Sequence, residues 1–481
     1  MIKGDEGSFD RLREKLDESG VEFLDVKAVD PIGRWRHITI PKSSFTRELV
    51  SRGIGFDGSS YGYSSVENSD MLLVPDLETA KLEPTEEGEV LSLIGDIYQI
   101  DEEGNRRRFP RDPRRTIVRA RNYLRETQIA DDFLVSPEFE FYLFNDARFY
   151  YGTSRGGFEV DSVELSNRKK SETDEEPHHP LPNTGGYHAP RPGDDGIELR
   201  NRMVAFLERE GIPVKYHHHE VGGAGESEIE VGFDDLLTAS DNTLYIKHIV
   251  RIMAKLSGMS ATFMPKPVND FPGNGMHLHQ YMVKDGENLF SGDKYGGLSE
   301  LALHFIGGLL EHGRSIMGLT NPTTNSYKRL IPGHEAPVDL VFARSNRSAA
   351  VRIPGYVQSG DRRRVELRTL DATCNPYLAY SAILMAGLDG IERELDPQDL
   401  GYGPIEKNIY DLPEKEKKRI KQAPESLSAS LNALEKDHGY LLKGNVFEES
   451  QIKNWLRIKR NEGSLFDDKP HPFEFMLYYD L

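Results

Sequence analysis

The sequence predicts an α+β fold in which short strands with one polar face line a cleft and helices flank them. Two observations predict it: apolar and charged residues alternate in four short stretches, and helix start and stop signals lie between them. In residues 136–144, Phe139 and Phe141 alternate with Glu138 and Glu140. Because successive strand residues point to opposite faces, both carboxylates share one face. Such a pair resists burial unless a positive partner, such as a divalent cation, compensates it.

Three later stretches repeat this alternation, with acids, imidazoles or guanidiniums on the polar face. They are residues 228–233, 276–280 and 364–369. Strands of this kind would form an antiparallel sheet or an open barrel whose polar face lines a cleft. A solvated outer face explains any one stretch equally well, but four together favour a shared site.

Length and composition narrow the class of protein. The chain has 481 residues, enough for a large core and two domains, and 37 % of them are hydrophobic. Its net charge of −19 argues against nucleic acid as the main partner. The single cysteine, Cys374, excludes an internal disulfide and suits a reducing cytoplasm. Neither a signal peptide nor a run of ~20 apolar residues is present, so we expect a cytoplasmic enzyme that does not span a membrane.

Composition along the chain also suggests its domains. Asp112 and Pro113 provide a helix cap and a first-turn proline after a β-rich beginning. Periodicity then disappears over residues 160–196, which predicts a long loop. The expected divisions are an N-terminal domain at 1–109, a catalytic domain at 110–481, a flexible insert at 160–196, a surface loop at 395–420 and an aromatic tail at 465–481.

Six residues of the polar faces and nearby stretches form a candidate metal site. They are Glu138, Glu140, Glu220, Glu228, His277 and Glu366. Five carboxylates and one imidazole suit Mg²⁺ or Mn²⁺ better than structural zinc. Such a set could hold two ions and leave positions open for water and substrate. The run His217-His218-His219 suggests zinc, but consecutive strand residues face opposite ways and cannot all reach one metal.

Arginines cluster in the last of these stretches and just before it. They are Arg329, Arg347, Arg352, Arg362, Arg363, Arg364 and Arg368. Arginine binds carboxylate and phosphate and neutralises the charge that develops in phosphoryl transfer. A solvated surface set remains the alternative. Together with the acids, the arginines indicate a metal-dependent phosphoryl-transfer enzyme with a nucleotide donor and an anionic acceptor.

A series of ordered motifs resembles type I glutamine synthetase over essentially the full length of the chain. The motifs are Phe56-Asp57-Gly58-Ser59-Ser60, Glu138 with Glu140, His218-His219-Glu220 with Glu228, Gly275-Met276-His277-Leu278-His279, Asn325-Ser326-Tyr327-Lys328-Arg329, Pro332-Gly333-His334-Glu335-Ala336-Pro337, Asn346-Arg347-Ser348, Arg352-Ile353-Pro354, Arg364-Val365-Glu366-Leu367-Arg368 and Asn375-Pro376-Tyr377.

This resemblance implies a small N-terminal β-grasp domain and a large catalytic domain with an antiparallel β-barrel-like active site flanked by helices. It assigns Glu140, Glu220 and Glu228 to a first metal, and Glu138, His277 and Glu366 to a second. Gly273, Arg329 and Arg368 match residues that bind glutamate. Asp57, Ser60, Tyr187 and Glu220 match the ammonium site. Lys215, Phe233, His279, Arg347, Arg352 and Arg364 match residues that serve ATP.

The family reaction uses ATP to phosphorylate the side chain of glutamate, after which ammonia displaces phosphate to give glutamine. By resemblance, Asp57 deprotonates ammonium, Arg347 assists the transfer and Glu335 closes a flap over the intermediate. The family assembly is a dodecamer of two stacked hexamers, in which the loop of Asp57 completes a neighbouring site and the tail at 465–481 docks on the opposite ring. Tyr410 matches a tyrosine that an adenylyltransferase modifies in one branch of the family.

Three departures from the family pattern bear on substrates. Pro272-Gly273-Asn274-Gly275 replaces a usual Asn-Gly-Ser-Gly, Tyr281 replaces a small residue near the adenine, and Tyr63 stands where the ammonium-site loop often has tryptophan. Two other functions remain open: ligation of glutamate to an organic amine, and a non-catalytic structural role. A ligase for organic amines typically lacks the acids at Asp57 and Glu335, and a non-catalytic relative would have lost metal ligands. All of these residues are present.

Overall fold

The computed structural model describes residues 6–64, 66–165, 179–331, 336–357, 359–407, 412–418, 420–467 and 469–479. Two sheets organise these residues, a smaller one near the N-terminus and a larger one that follows it. Within the described ranges, no helix combines the length and apolar character that a membrane-spanning segment needs.

The first sheet has the strand order β2-β1-β5-β4-β3, with β6 paired to β5. Its elements are α1 (Glu6–Ser19), β1 (Phe23–Val29), β2 (Trp35–Pro41), α2 (Arg47–Arg52), β3 (Ile54–Asp57), β4 (Asp70–Pro84), β5 (Glu89–Ile100) and β6 (Arg106–Arg108). Strands β1 and β5 are parallel, and the other pairs are antiparallel. Phe9, Leu12 and Leu16 share one stripe of α1 and pack with Val50 of α2 in a separate hydrophobic core.

The larger sheet runs in the order β10-β11-β7-β14-β18-β17-β16. The strands that follow the first sheet are β7 (Asp132–Phe144), β8 (Asp146–Tyr151), β9 (Gly156–Asp161), β10 (Val214–His219), β11 (Glu226–Val231), β12 (Asp234–Asp235), β13 (Ser260–Thr262), β14 (Leu278–Lys284), β15 (Glu287–Asn288), β16 (Asp339–Arg344), β17 (Ala349–Ile353) and β18 (Val365–Leu367). Pairing along this path is antiparallel except between β16 and β17, which are parallel. Strands β8 and β9 form a separate hairpin.

Helices flank the larger sheet, as the sequence predicts. They are α3 (Pro113–Glu126), α4 (Ile197–Arg209), α5 (Leu236–Leu256), α6 (Glu300–Glu311), α7 (Gly313–Thr320), α8 (Ser326–Arg329), α9 (Pro376–Glu392), α10 (Glu414–Lys417), α11 (Leu427–Lys436), α12 (Glu449–Asp467) and α13 (Pro472–Tyr478). The predicted start of α3 is confirmed, because the Asp112 carboxylate accepts a hydrogen bond from the Arg114 N–H at 3.0 Å and Pro113 occupies the first turn.

The two faces of the larger sheet differ as the alternation predicts. Phe139 and Phe141 are buried in the main hydrophobic core with Ile229 and Leu278. The strand register places Glu140 opposite Glu228 and Glu138 opposite Glu230. It also places His279 opposite Glu366 and Glu366 opposite Arg352. The polar face therefore carries one continuous row of ionisable side chains across five strands.

A buried arginine joins the two sheets. The Arg114 Nη1 group donates to Asp76 on β4 and to Asp96 on β5, at 2.9 Å each. Its Nη2 donates to Asp241 on α5 at 2.8 Å. These bonds fix the first sheet against the helices that support the larger one.

The predicted surface loop, insert and tail contain several local contacts. Within residues 395–420, Tyr402 is buried and its hydroxyl donates to Glu311 at 2.7 Å. Leu165 and Leu181 form an isolated β-bridge inside the predicted insert, so its described ends are anchored. Helix α13 in the tail exposes aromatic side chains, among them Phe475 and Tyr478.

Candidate active site

A cavity of about 790 Å³ opens over the polar face of the larger sheet. The carboxylates that line it are Glu138, Glu140, Glu220, Glu226, Glu228, Asp270 and Glu366. The cations that line it are Lys266, Lys328, Arg329, Arg347, Arg352 and Arg368. A concave site that is lined by both acidic and basic side chains suits an anionic substrate held through divalent cations.

Glu138, His277 and Glu366 form one group that could hold a metal, with ligand atoms within 4.8 Å of one another. Oε2 of Glu138 lies 2.8 Å from Nδ1 of His277. Glu366 accepts hydrogen bonds from Nη1 of Arg352 at 2.6 Å and from Nη1 of Arg368 at 2.5 Å. The structure thus brings together the three residues that the resemblance assigns to the second metal.

His218, Glu220 and Glu228 form a second such group. Nε2 of His218 lies 3.1 Å from Oε1 of Glu228. Glu140, which the resemblance places with Glu220 and Glu228, faces Glu228 across the strand pair, while its Oε2 accepts the Gly275 N–H at 2.5 Å. The sequence could not single out His218, since the triple histidine leaves open which ring faces the cavity.

Glu230 completes a third group with Glu138 and His279, and we did not select it from the sequence. Its Oε1 accepts a hydrogen bond from Nζ of Lys215 at 2.5 Å and lies 3.9 Å from Nε2 of His279. The available signal was the alternation of polar and apolar residues in the stretch 228–233, which places Glu228 and Glu230 on the same face of the strand.

The carboxylates of this polar face differ in how far nearby positive charges neutralise them. Burial and the charge of Glu140 raise the pKa of Glu220 to about 8. Burial and the charge of Glu138 raise the pKa of Glu228. Burial opposes ionisation of Glu366, but the charges of Arg368, His279 and Arg352 together outweigh it and lower the pKa of Glu366 to about 2. An excess of buried carboxylates around Glu220 and Glu228 is what a divalent cation would neutralise, and oxygen ligands with one imidazole in each group fit Mg²⁺ or Mn²⁺.

Two arginines that the resemblance assigns to glutamate binding, Arg329 and Arg368, line the cavity. Arg329 is buried, and its Nη1 donates to the carbonyl oxygen of Thr369 at 3.0 Å. Arg368 Nε donates to the carbonyl oxygen of Arg347 at 3.0 Å. Gly273 lines the same cavity, and a Cβ at Gly273 would lie 2.4 Å from the Pro265 carbonyl oxygen. The close approach of the backbone therefore requires glycine there.

Four of the six residues predicted to serve ATP, Lys215, Phe233, His279 and Arg364, form one cluster, whereas Arg347 and Arg352 line the cavity. Nζ of Lys215 lies 4.8 Å and Cζ of Arg364 lies 5.8 Å from the centre of the Phe233 ring. Nε of Arg364 lies 3.4 Å from Nδ1 of His279. Tyr281 packs edge-on against Phe233 with ring centres 4.9 Å apart. Aromatic rings beside cations suit a nucleobase and its phosphates.

The predicted ammonium residues are divided between two places. Tyr187 and Glu220 line the cavity, whereas Asp57 and Ser60 are absent from the described residues that line it. Asp57 is exposed at the end of β3, where the hydroxyls of Ser59 and Ser60 each donate to its carboxylate at 2.6 Å. These bonds lower the pKa of Asp57 to about 2. Glu335 and Tyr410 lie outside the described residues.

The fold and the acid-lined cavity define a metal-dependent enzyme that handles anionic substrates. The sequence of this chain matches the family model of the glutamine synthetase catalytic domain over residues 110–478. It matches the family model of the glutamine synthetase β-grasp domain over residues 20–100. The chain belongs to the glutamine synthetase family. This confirms the resemblance and the predicted combination of a β-grasp domain with a larger catalytic domain.

Individual relatives agree with this assignment. Glutamine synthetase of Aquifex aeolicus is 44 % identical over 97 % of this chain and 97 % of its own. Glutamine synthetase of Frankia alni is 44 % identical over 98 % of this chain and 99 % of its own. Among solved structures, Plasmodium falciparum glutamine synthetase matches with a TM-score of 0.86 at 25 % identity, and each chain is covered completely.

Proposed function

We propose that this chain is a glutamate–ammonia ligase that forms glutamine, ADP and phosphate through γ-glutamyl phosphate. The observation that supports it best is the row of metal-capable carboxylates beside buried guanidiniums, in a chain of this family. In the first step, a γ-carboxylate oxygen of glutamate attacks the γ-phosphorus of ATP, and ADP leaves. In the second, ammonia attacks the carbonyl carbon and phosphate leaves, giving the amide.

Two or more Mg²⁺ or Mn²⁺ ions would be held by Glu138, His277 and Glu366 on one side and by Glu220 and Glu228 on the other. When bound, they supply charge neutralisation for the phosphoryl group that is transferred. Glu140 and His218 lie within reach of these groups and would complete their ligand shells.

The remaining residues orient the substrates. Arg329, Arg368 and the backbone at Gly273 would hold the carboxylate and amino groups of glutamate. A second set would bind ATP and stabilise the transferred phosphoryl group: Lys215, Phe233, His279, Arg347, Arg352 and Arg364. Arginine suits both tasks because its planar fork binds carboxylate and phosphate bidentately.

Ammonium would be captured between Tyr187 and Glu220 and deprotonated by Asp57 of a neighbouring subunit. The exposure of Asp57 and its position away from the cavity lining support a site shared between subunits of a homododecamer. The exposed aromatic residues of α13 support docking of the tail at 465–481 on the opposite ring.

We further propose a boundary near residue 109 between the two domains, and a cytoplasmic location.

Two proposals rest on the resemblance alone. Glu335 would close over the acyl phosphate and exclude water, and Tyr410 would be the target of an adenylyltransferase. A Glu335→Ala variant should release more phosphate for each glutamine formed. Tyr410→Phe should prevent incorporation of one nucleotide per subunit.

A comparison of amines tests the proposed function. The purified protein with ATP, glutamate and Mg²⁺ should use ammonium with a kcat/KM at least ~10-fold above that for methylamine or ethylamine, since one methylene alone can change selectivity by about that much. Equal or better use of an organic amine would instead assign the alternative function. No product with any amine would assign the non-catalytic role.

A further inference from the structure

The two described ends of the insert meet at one buried carboxylate, Glu164. Its side chain accepts the Asp195 N–H through Oε1 at 3.1 Å, and its carbonyl oxygen accepts the Leu181 N–H at 3.0 Å. The other carboxylate oxygen, Oε2, lies 2.8 Å from Nε2 of His219 on β10. Glu164 and His219 are 2 % and 1 % exposed, so water does not compete for these bonds. Glu164 therefore ties the start of the insert to its return segment, which we define as residues 179–196.

His219 continues this connection to a candidate metal ligand. Its Nδ1 donates to the carbonyl oxygen of Glu220 at 2.6 Å, and a carbonyl oxygen can only accept. Hydrogen bonds at both ring nitrogens fix the orientation of the imidazole. Glu164, His219 and Glu220 thus form one uninterrupted chain of contacts.

The return segment is bonded to the same end of β10. The Gly186 N–H donates to the carbonyl oxygen of Val221, and the His188 N–H donates to that of His219, each at 3.0 Å. A Cβ at Gly186 would lie 2.5 Å from the Glu220 carbonyl oxygen. His188 has φ +56°, which is uncommon for a residue other than glycine. The backbone on both sides of Tyr187 is therefore held against the strand that carries Glu220.

Aromatic contacts extend the same arrangement into the cavity. The Tyr187 ring stacks on His188 with centres 4.1 Å apart, and His188 meets His218 edge-on at 4.5 Å. Tyr187, His188 and His218 all line the cavity, whereas Glu164 is not among the described residues that do so. Any effect of Glu164 on the reaction would be exerted through these neighbours.

From these contacts we infer that Glu164 is a positioning residue for ammonium capture. Through His219 it holds the return segment, and with it Tyr187, at a fixed place beside Glu220. This inference rests on the proposed function, in which Tyr187 and Glu220 form the ammonium subsite. The residues proposed to bind glutamate and ATP are not among the partners of Glu164 and His219 named above, so loss of the Glu164 contact should affect ammonium selectively.

Steady-state kinetics of Glu164→Gln test this selectivity. Glutamine has the shape of glutamate but cannot accept the bonds from both Asp195 and His219. Glu159→Gln is the matched control, because Glu159 is an exposed acid on β9 that does not line the cavity. We expect the KM for ammonium to rise roughly ten-fold in Glu164→Gln, with the KM values for ATP and glutamate within about two-fold of wild type. Glu164→Asp, which keeps the charge, should show a smaller rise and replaces Glu164→Gln if that variant does not fold.

Hydrogen exchange gives a readout that does not depend on activity. The amides of Gly186 and His188 should exchange faster in Glu164→Gln than in wild type or Glu159→Gln. Unchanged exchange, an unchanged KM for ammonium or an equal rise in all three KM values would overturn the positioning role. Absence of glutamine formation by the wild type would instead overturn the proposed function, so the two failures are distinguishable.

Discussion

Nδ1 of His277 lies 2.8 Å from Oε2 of Glu138, although 139 residues separate the two in the chain. The contact arises because β14 pairs with β7. His277, just before β14, lies beside Glu138, whose N–H donates to the His277 carbonyl oxygen at 2.9 Å. Glu366 reaches the same place through the pairing of β18 with β14. The fold therefore assembles a metal-capable group from three distant segments.

Removing one carboxylate of this group should abolish activity without unfolding the chain. Glu366→Gln keeps the size of the side chain but loses the negative charge that a cation requires. We expect kcat/KM to fall roughly 10²-fold or more, as when an electrostatic contact to a transition state is removed. Titration with Mn²⁺, followed by electron paramagnetic resonance, should show weaker binding. Glu311→Gln is the control, because Glu311 bonds to Tyr402 away from the cavity. Near-normal turnover of a folded Glu366→Gln protein would contradict the metal assignment.

Asp57→Asn should impair amide formation and spare the phosphorylation of glutamate. An amide neither attracts ammonium nor takes its proton, so the rate of glutamine formation should fall by about 10²–10⁴, while ATP-dependent phosphate release continues. Asp70→Asn serves as the control, since Asp70 is the exposed cross-strand neighbour of Asp57. Because the pKa of Asp57 is about 2, its charge should not limit the rate between pH 5 and 8. A wild-type rate for Asp57→Asn at saturating ammonium would exclude this residue as the base.

The buried Arg114 should be a major determinant of stability. Arg114→Leu leaves Asp76, Asp96 and Asp241 without their shared partner, and breaking a buried ion pair on one side typically costs about 3–5 kcal/mol. Arg52→Leu breaks an exposed pair with Glu48 and should cost no more than ~1 kcal/mol. Denaturant unfolding of the two variants measures the difference. Equal losses would show that the interdomain contact contributes no more than a surface pair.

His312 should make stability depend on pH. Its Nε2 and Nδ1 each lie 2.8 Å from a carboxylate oxygen, of Asp389 and Asp437 respectively. Burial opposes protonation, but the hydrogen bonds to Asp389 and Asp437 and the charges of these carboxylates together outweigh it and raise the pKa of His312. A raised pKa stabilises the fold below the ordinary histidine pKa of about 6.5, and this stabilisation is lost as the pH rises through the folded value.

The measurement is the thermal midpoint of His312→Gln against pH. Its deficit relative to wild type should be larger at pH 6 than at pH 8.5. His304→Gln, which changes a partly exposed histidine of α6, should show no such trend. A deficit that is constant over this range would contradict a charged His312.

Sequence patterns predicted the faces of the strands but not all of the neighbours that meet across them. Alternation placed Glu138 and Glu140 on one face, and the structure confirms it. It could not show that Glu230 lies with His279, because that contact depends on strand order. Similarly, His218 joins Glu220 and Glu228 only through the register of β10 against β11.

The insert illustrates a second limit. Residues 160–196 lack periodicity, which predicts a loop but conceals the bonds of individual polar residues. Glu164 is buried because it has three polar partners at distant positions, and no local pattern predicts such a network. Long-range polar contacts of this kind follow from the completed fold.

Transfer of an isotope tests the central claim most directly. Glutamate labelled with ¹⁸O in its γ-carboxylate is incubated with the purified protein, ATP, Mg²⁺ and ammonium, and the released phosphate is analysed by mass spectrometry. If γ-glutamyl phosphate is the intermediate, one labelled oxygen should appear in phosphate for each glutamine formed. Glutamine formation with unlabelled phosphate, or labelled glutamate that stays unconverted while ATP is present, would contradict the account.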